Sequence, residues 1–164
     1  MMKVINEAAI DAVLEKVDTI QEEFEQYLEE FAEKQPVIMG FLDKENTSIL
    51  SDEEREYMEY LVLVVYQAIS KSYKSIPEIS EDELGAAEEK NWEIMEAAKA
   101  PAFNDKLDAF FEGYPQEDLL AFIEDSLTED TEDPDANMDF LTDDAREPMF
   151  VVLKSIIDAF HEAL

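Results

Sequence analysis

The chain has 164 residues, 46% of them hydrophobic, with 43 acidic against 12 basic side chains and a formal net charge of −31. Such a surface repels phosphate backbones and anionic membranes, so direct nucleic-acid and membrane binding are excluded as expectations. Three glycines, six prolines and no cysteine, beside abundant Glu, Ala and Leu, predict a single all-α domain over 1–164 without disulfides or thiolate metal sites.

The opening residues, MMKVINEAAI, turn charged and helical without the apolar core of a signal peptide. Asn6 can cap a first helix, with Ile5 and Ile10 spaced as a hydrophobic staple. Apolar residues follow at Ile10, Val13, Val17, Ile20, Phe24, Tyr27 and Phe31, in steps of three and four. That pattern predicts one helix of about eight turns with a single apolar stripe, usable for the core or for a homodimer seam. Pro36 ends it and starts a short helix, VIMGFL. Ser51 and Glu54 form a capping box for a third helix reaching about Lys74. It is apolar over most of its circumference, which places it centrally. Its run YLVLVVY, 60–66, is too short to span a bilayer, and a cytoplasmic location is the simplest inference.

Ser80 and Glu83 box the start of a fourth helix, which Pro101 is expected to break or kink. Pro115 is placed at the start of a fifth helix and Thr142 as the cap of a sixth. Pro148 lies early in the sixth, predicting a kink or a delayed start.

Two offsets relate the halves. At 79 residues, Phe24, Leu28, Phe31, Glu33 and Pro36 align with Phe103, Leu107, Phe110, Glu112 and Pro115. At 91 residues, Leu50, Asp52, Arg55, Glu56, Met58 and Ala68 align with Leu141, Asp143, Arg146, Glu147, Met149 and Ala159. The expectation is a helical bundle of about six helices, built as a tandem pseudo-two-fold duplication of a three-helix unit. Repeat 1 spans 4–75 and repeat 2 spans 80–164, the latter with an acidic loop insertion near 126–141. The third and sixth helices should meet near the axis.

The insertion carries the most specific motif. Asp133, Asp135, Asn137, Asp139 and Asp144 fall at positions 1, 3, 5, 7 and 12 of an EF-hand-like loop, 133–144, the spacing that gathers oxygens around Ca²⁺. Met138 replaces the turn glycine, Asp144 is one carbon shorter than the usual bidentate Glu, and position 7 gives only its carbonyl. A solvated acidic connection accounts for the stretch more simply, and Asp143 and Asp144 suit the positive end of the sixth helix. His161, three residues after Asp158, is the only histidine, so a two-histidine di-iron site is excluded. Asn91, flanked by Trp92, reads as a buried amide fixing helix register, with a small-ligand pocket as the functional counterpart. Arg55 and Arg146, which recur with Glu56 and Glu147, each read as the cation of an internal ion pair with an acid, across the pseudo-axis in one arrangement, with an anionic ligand as the counterpart.

No phosphate loop and no Ser–His–acid order is present, so no catalytic residue is assigned. The leading expectation is a non-enzymatic acidic interaction protein, monomer or homodimer, that binds a basic protein partner, with a nucleic-acid mimic or adaptor as versions of it. The alternative is a calcium-binding module using 133–144.

Overall fold

A computed structural model describes residues 2–43, 49–98, 100, 102–128 and 140–164. Every regular element among them is a helix: α1 (Glu7–Leu14), α2 (Val17–Glu22), α3 (Phe24–Lys34), α4 (Pro36–Leu42), α5 (Asp52–Ser70), α6 (Glu81–Ala97), α7 (Phe103–Phe111), α8 (Glu117–Leu127) and α9 (Asp143–Ala163). None of these is long and apolar enough to cross a membrane. The described residues hold nine helices where about six were expected: the stretches predicted as the first and fourth helices are each divided.

The first segment breaks into α1, α2 and α3, at Lys16 and Glu23, seven residues apart. The stripe explains the interval. Its period of 3.5 drifts by about 20° per heptad around a straight helix, and one bend per heptad turns the apolar residues back toward the core. Ile10, Val13, Ile20 and Phe31 are accordingly buried. The fourth segment ends at Ala97, whose successor Ala98 is extended at ψ 117°, and α7 starts at Phe103. The break brackets Pro101, as expected.

Three local starts are as the sequence predicts. Asn6 Oδ1 accepts from Ala9 N at 3.0 Å, and both Ser51–Glu54 and Ser80–Glu83 form reciprocal capping boxes. Two differ. Pro115 precedes α8, which begins at Glu117 with Gln116 as its N-cap. The helix α9 starts at Asp143 with Pro148 inside it, so the start is not delayed. The proline costs only the bond to the Asp144 carbonyl, on an exposed residue that water can reach.

The two long helices form the centre. In α5, Leu61, Val62, Leu63, Val64 and Val65 are all buried, and in α9 so is every residue from 148 to 157. These helices pack on each other, with the rings of Tyr66 and Phe160 5.7 Å apart. Around them α1 and α3 lie on α5, while α6 and α8 lie on α9.

Two buried glutamines fix how the outer segments sit. Gln35, the N-cap of α4, donates to Pro77 O and accepts from Ile79 N, both at 2.9 Å. Gln116, the N-cap of α8, donates to Lys3 O and accepts from Ile5 N, both at 3.0 Å. Each amide therefore pins the extended chain leading into a helix. Pro77 and Ile79 stand three and one residues before Ser80, the cap of α6; Lys3 and Ile5 stand three and one before Asn6, the cap of α1. Gly113, at φ 67°, supplies the left-handed turn that brings Gln116 to its place. Gln116 Nε2 also lies 3.1 Å from His161 Nδ1. That amide nitrogen can only donate, so in this contact the imidazole nitrogen is the acceptor.

Glu54 links the ends of α5 and α9. Its Oε1 accepts from Ser51 N at 2.9 Å, and its Oε2 accepts from Thr142 N at 2.9 Å and Thr142 Oγ at 3.0 Å. Thr142 therefore makes no cap of its own helix; the matching position to Glu54 in α9 is Ala145, which has no acceptor. One carboxylate sits at two positive helix ends. Burial pushes the Glu54 carboxyl up, and the hydrogen bonds from Ser51 and Thr142 outweigh it, so its pKa falls below the ordinary 4.5. A depressed folded pKa gives stability that is present above pH 4.5 and disappears as pH falls through the folded value. Glu54→Gln is thus expected to destabilise at pH 7 by roughly 1–3 kcal/mol. The gap to wild type should shrink steadily below pH 4.5 when urea unfolding is followed across the acid range.

Candidate functional site

The outer face of α5 carries Glu53, Glu56, Tyr57 and Tyr60, spaced i, i+3, i+4 and i+7. Such spacing lines residues along one helical stripe. Opposite them stand Gln21 of α2 and Phe24 of α3, and Phe140 closes one end. Together these residues enclose an open groove of about 440 Å³. Its four rings are half-buried, while Gln21, Glu53 and Glu56 are exposed at the rim. A second cleft, about 640 Å³, shares Gln21, Phe24 and Glu56 with it and adds Glu22, Glu23, Glu25 and Glu29.

Tyr57 organises the groove. Its hydroxyl donates to Ser126 O at 2.6 Å, its ring stacks near Tyr60 at 6.4 Å, and Phe140 meets it edge-on at 5.3 Å and 82°. Ser126 and Phe140 thus meet at one ring. Burial raises the Tyr57 phenol above its ordinary value despite the Ser126 bond, with Tyr60 adding to the rise; burial alone raises Tyr60. Both phenols are therefore neutral at physiological pH. Burial also raises Glu59 on the same helix, Asp43 and Glu56 repel it further, and Arg55 opposes them. Crowded carboxylates of this kind gain from any cation that approaches.

Such a surface can do one thing well. Aromatic faces and the apolar groove accept the alkyl stem and charged head of Lys or Arg, and the rim carboxylates neutralise the charge.

A second polar cluster lies between α6 and α9 and is largely buried. Asn91 Nδ2 donates to Ser155 Oγ and Asp158 Oδ2, both at 3.0 Å, and its Oδ1 accepts from Lys154 Nζ at 2.8 Å. Lys154 also pairs with Asp158 at 2.8 Å, and the Tyr114 hydroxyl donates to the other Asp158 oxygen. The ammonium lies 4.5 Å from the Tyr114 ring centroid and 5.6 Å from that of Phe110. Burial pushes the Lys154 pKa down, Asp158 restores part of it, and Lys90 pushes it down again.

The residues singled out in the sequence do not assemble into one site. Asp133, Asp135, Asn137 and Asp139 lie outside the described residues; Asp144 sits exposed in the first turn of α9. Among the described residues, no group of three or more His, Asp or Glu side chains is placed to hold a metal ion. The Asn91 amide is consumed by α9, while neighbouring Trp92 packs half-buried against the core. Arg146 Nη1 reaches Asp143 of its own helix at 3.4 Å, and that carboxylate is 94% exposed. Glu54 and Thr142 link the starts of α5 and α9. Phe24, Tyr57, Tyr60, Phe140 and Lys154 were not assigned a functional role from the sequence. The i, i+3, i+4, i+7 mixture of Glu and Tyr on α5 was the available signal.

Comparison with known protein families, with curated proteins and with solved structures finds no match for this chain.

Proposed function

We propose that this protein is an acidic docking module that seats a Lys- or Arg-bearing segment of a basic protein partner in the groove of Phe24, Tyr57, Tyr60 and Phe140. The observation that carries this reading is the single stripe of α5 that presents tyrosines and glutamates together. Carboxylates alone attract any cation; rings beside them reward one that inserts its stem. The chain's net charge of −31 speeds encounter with a basic partner. A nucleic-acid mimic would instead offer a convex charged surface to a basic groove. The concave aromatic wall favours the partner's segment entering this protein.

A lysine- and arginine-rich peptide, titrated calorimetrically, tests the reading. Affinity should fall steeply between 50 and 300 mM NaCl. The Tyr60→Ala/Phe24→Ala variant, whose net charge is unchanged, should bind about tenfold more weakly at fixed salt, from the loss of two ring contacts. Equal affinity for the variant would reduce the binding to bulk charge and end the groove proposal.

The same reading takes the chain as two related halves, 4–75 and 80–164. Support comes from the glutamine clamps: Gln35 of the first half holds the entry to α6, and Gln116 of the second, 81 residues on and so two past the 79-residue match, holds the entry to α1 at the same offsets from the cap.

A further inference from the structure

A smaller pocket of about 230 Å³ lies where α1, α2 and α3 meet the C-terminal end of α5. Val13 and Ile20 are buried in its floor, and Lys16, Tyr27, Gln67, Ser70 and Lys71 complete the lining. In a chain with 43 acids and 12 bases, this lining has two lysines and no acid. Among the described residues, the Lys16 and Lys71 ammonium groups have no ion-pair partner, and the Gln67 amide and Tyr27 hydroxyl have no hydrogen-bond partner. The Ser70 hydroxyl is already spent on Tyr66 O at 2.8 Å. Four side chains with N–H or O–H to give therefore line a cavity that supplies no carboxylate to receive them.

The global charge of −31 does not forbid an anion here. At physiological ionic strength the Debye length is about 8 Å, so distant exposed carboxylates are screened while two lysines at the mouth are not. The floor is apolar, and the space suits a ligand of roughly ten non-hydrogen atoms, smaller than a drug-sized one. At the 91-residue offset Gln67 corresponds to Asp158, which is consumed by Lys154, Asn91 and Tyr114.

We infer that this pocket binds a small organic carboxylate: its aliphatic tail rests on Val13 and Ile20, and its carboxylate takes hydrogen bonds from Lys16, Lys71, Gln67 and Tyr27. The site is separate from the aromatic groove and stands without it. Hexanoate, titrated into the ¹⁵N-labelled full chain, should give saturable shifts at Lys16, Ile20, Gln67 and Lys71. Lys16→Gln/Lys71→Gln should weaken it at least tenfold while thermal stability and basic-peptide binding at Tyr57 stay at wild-type values. N-acetylleucine serves as a second arm: tighter binding than hexanoate assigns the carboxylate to a peptide-like source, weaker binding to a free aliphatic acid. Shifts of equal strength with inorganic phosphate or hexylammonium, or no saturable shift with either carboxylate, would overturn the inference.

Discussion

Lys154→Ala is expected to cost the fold about 3 kcal/mol, read as a drop in the midpoint of guanidinium unfolding. Breaking a buried ion pair by deleting one partner typically costs about 3–5 kcal/mol, and Asp158, with its side chain 21% exposed, recovers part of that through water. The loss is not only Coulombic. Asn91 Oδ1 would be left inside without a donor, and the ammonium over the Tyr114 and Phe110 rings would disappear. Lys106 offers the contrast. Its partner Glu147 is 35% exposed, so Lys106→Ala should cost under about 1 kcal/mol. Titration adds a sign. A lysine whose folded pKa is lowered binds fewer protons than in the unfolded chain, so stability rises with pH between the folded value and 10.5. That slope should be absent in Lys154→Met.

Gln116→Ala is expected to lower stability by about 2–4 kcal/mol. Two backbone groups, Lys3 O and Ile5 N, lose their partner together, and a buried unpaired group costs about 1–3 kcal/mol each. Lys3 is exposed, so water can rescue its carbonyl, whereas Ile5 is 1% exposed and is not rescued. Hydrogen exchange should therefore rise first at Ile5. Gln35→Ala should behave in the same way at Ile79, which is fully buried. Gln116→Glu keeps the acceptor for Ile5 and turns the donor into a second acceptor facing Lys3 O and His161 Nδ1. It should cost at least as much as alanine.

Helix starts were the most legible part of the sequence, because a capping box is local chemistry written in four residues. Asn6, Ser51 and Ser80 act as their spacing requires. The central position of α5 followed from its all-round apolar character. The breaks at Lys16 and Glu23 carry no proline or glycine, and only the difference between 3.5 and 3.6 residues per turn hints at them. Long-range polar contacts were not legible at all. Gln35 and Gln116 look like ordinary surface residues in one dimension, and Glu54 reads only as a local capping partner; the bonds to Pro77, Lys3 and Thr142 span 42, 113 and 88 residues. The candidate site was half legible. Its charge was evident from composition, but the wall needed Phe24 and Phe140 brought to α5 by the fold.

The seat for the leading segment is built from residues that come far later in the chain. Ile5 is 111 positions from the amide that secures it, and the Met2 nitrogen reaches the His161 carbonyl at 3.0 Å. During synthesis the first helix therefore emerges with its entry undocked until Gln116 has left the ribosome. Contacts of such high order close slowly, so refolding should end on the docking of residues 2–5, with the central pair of helices already assembled.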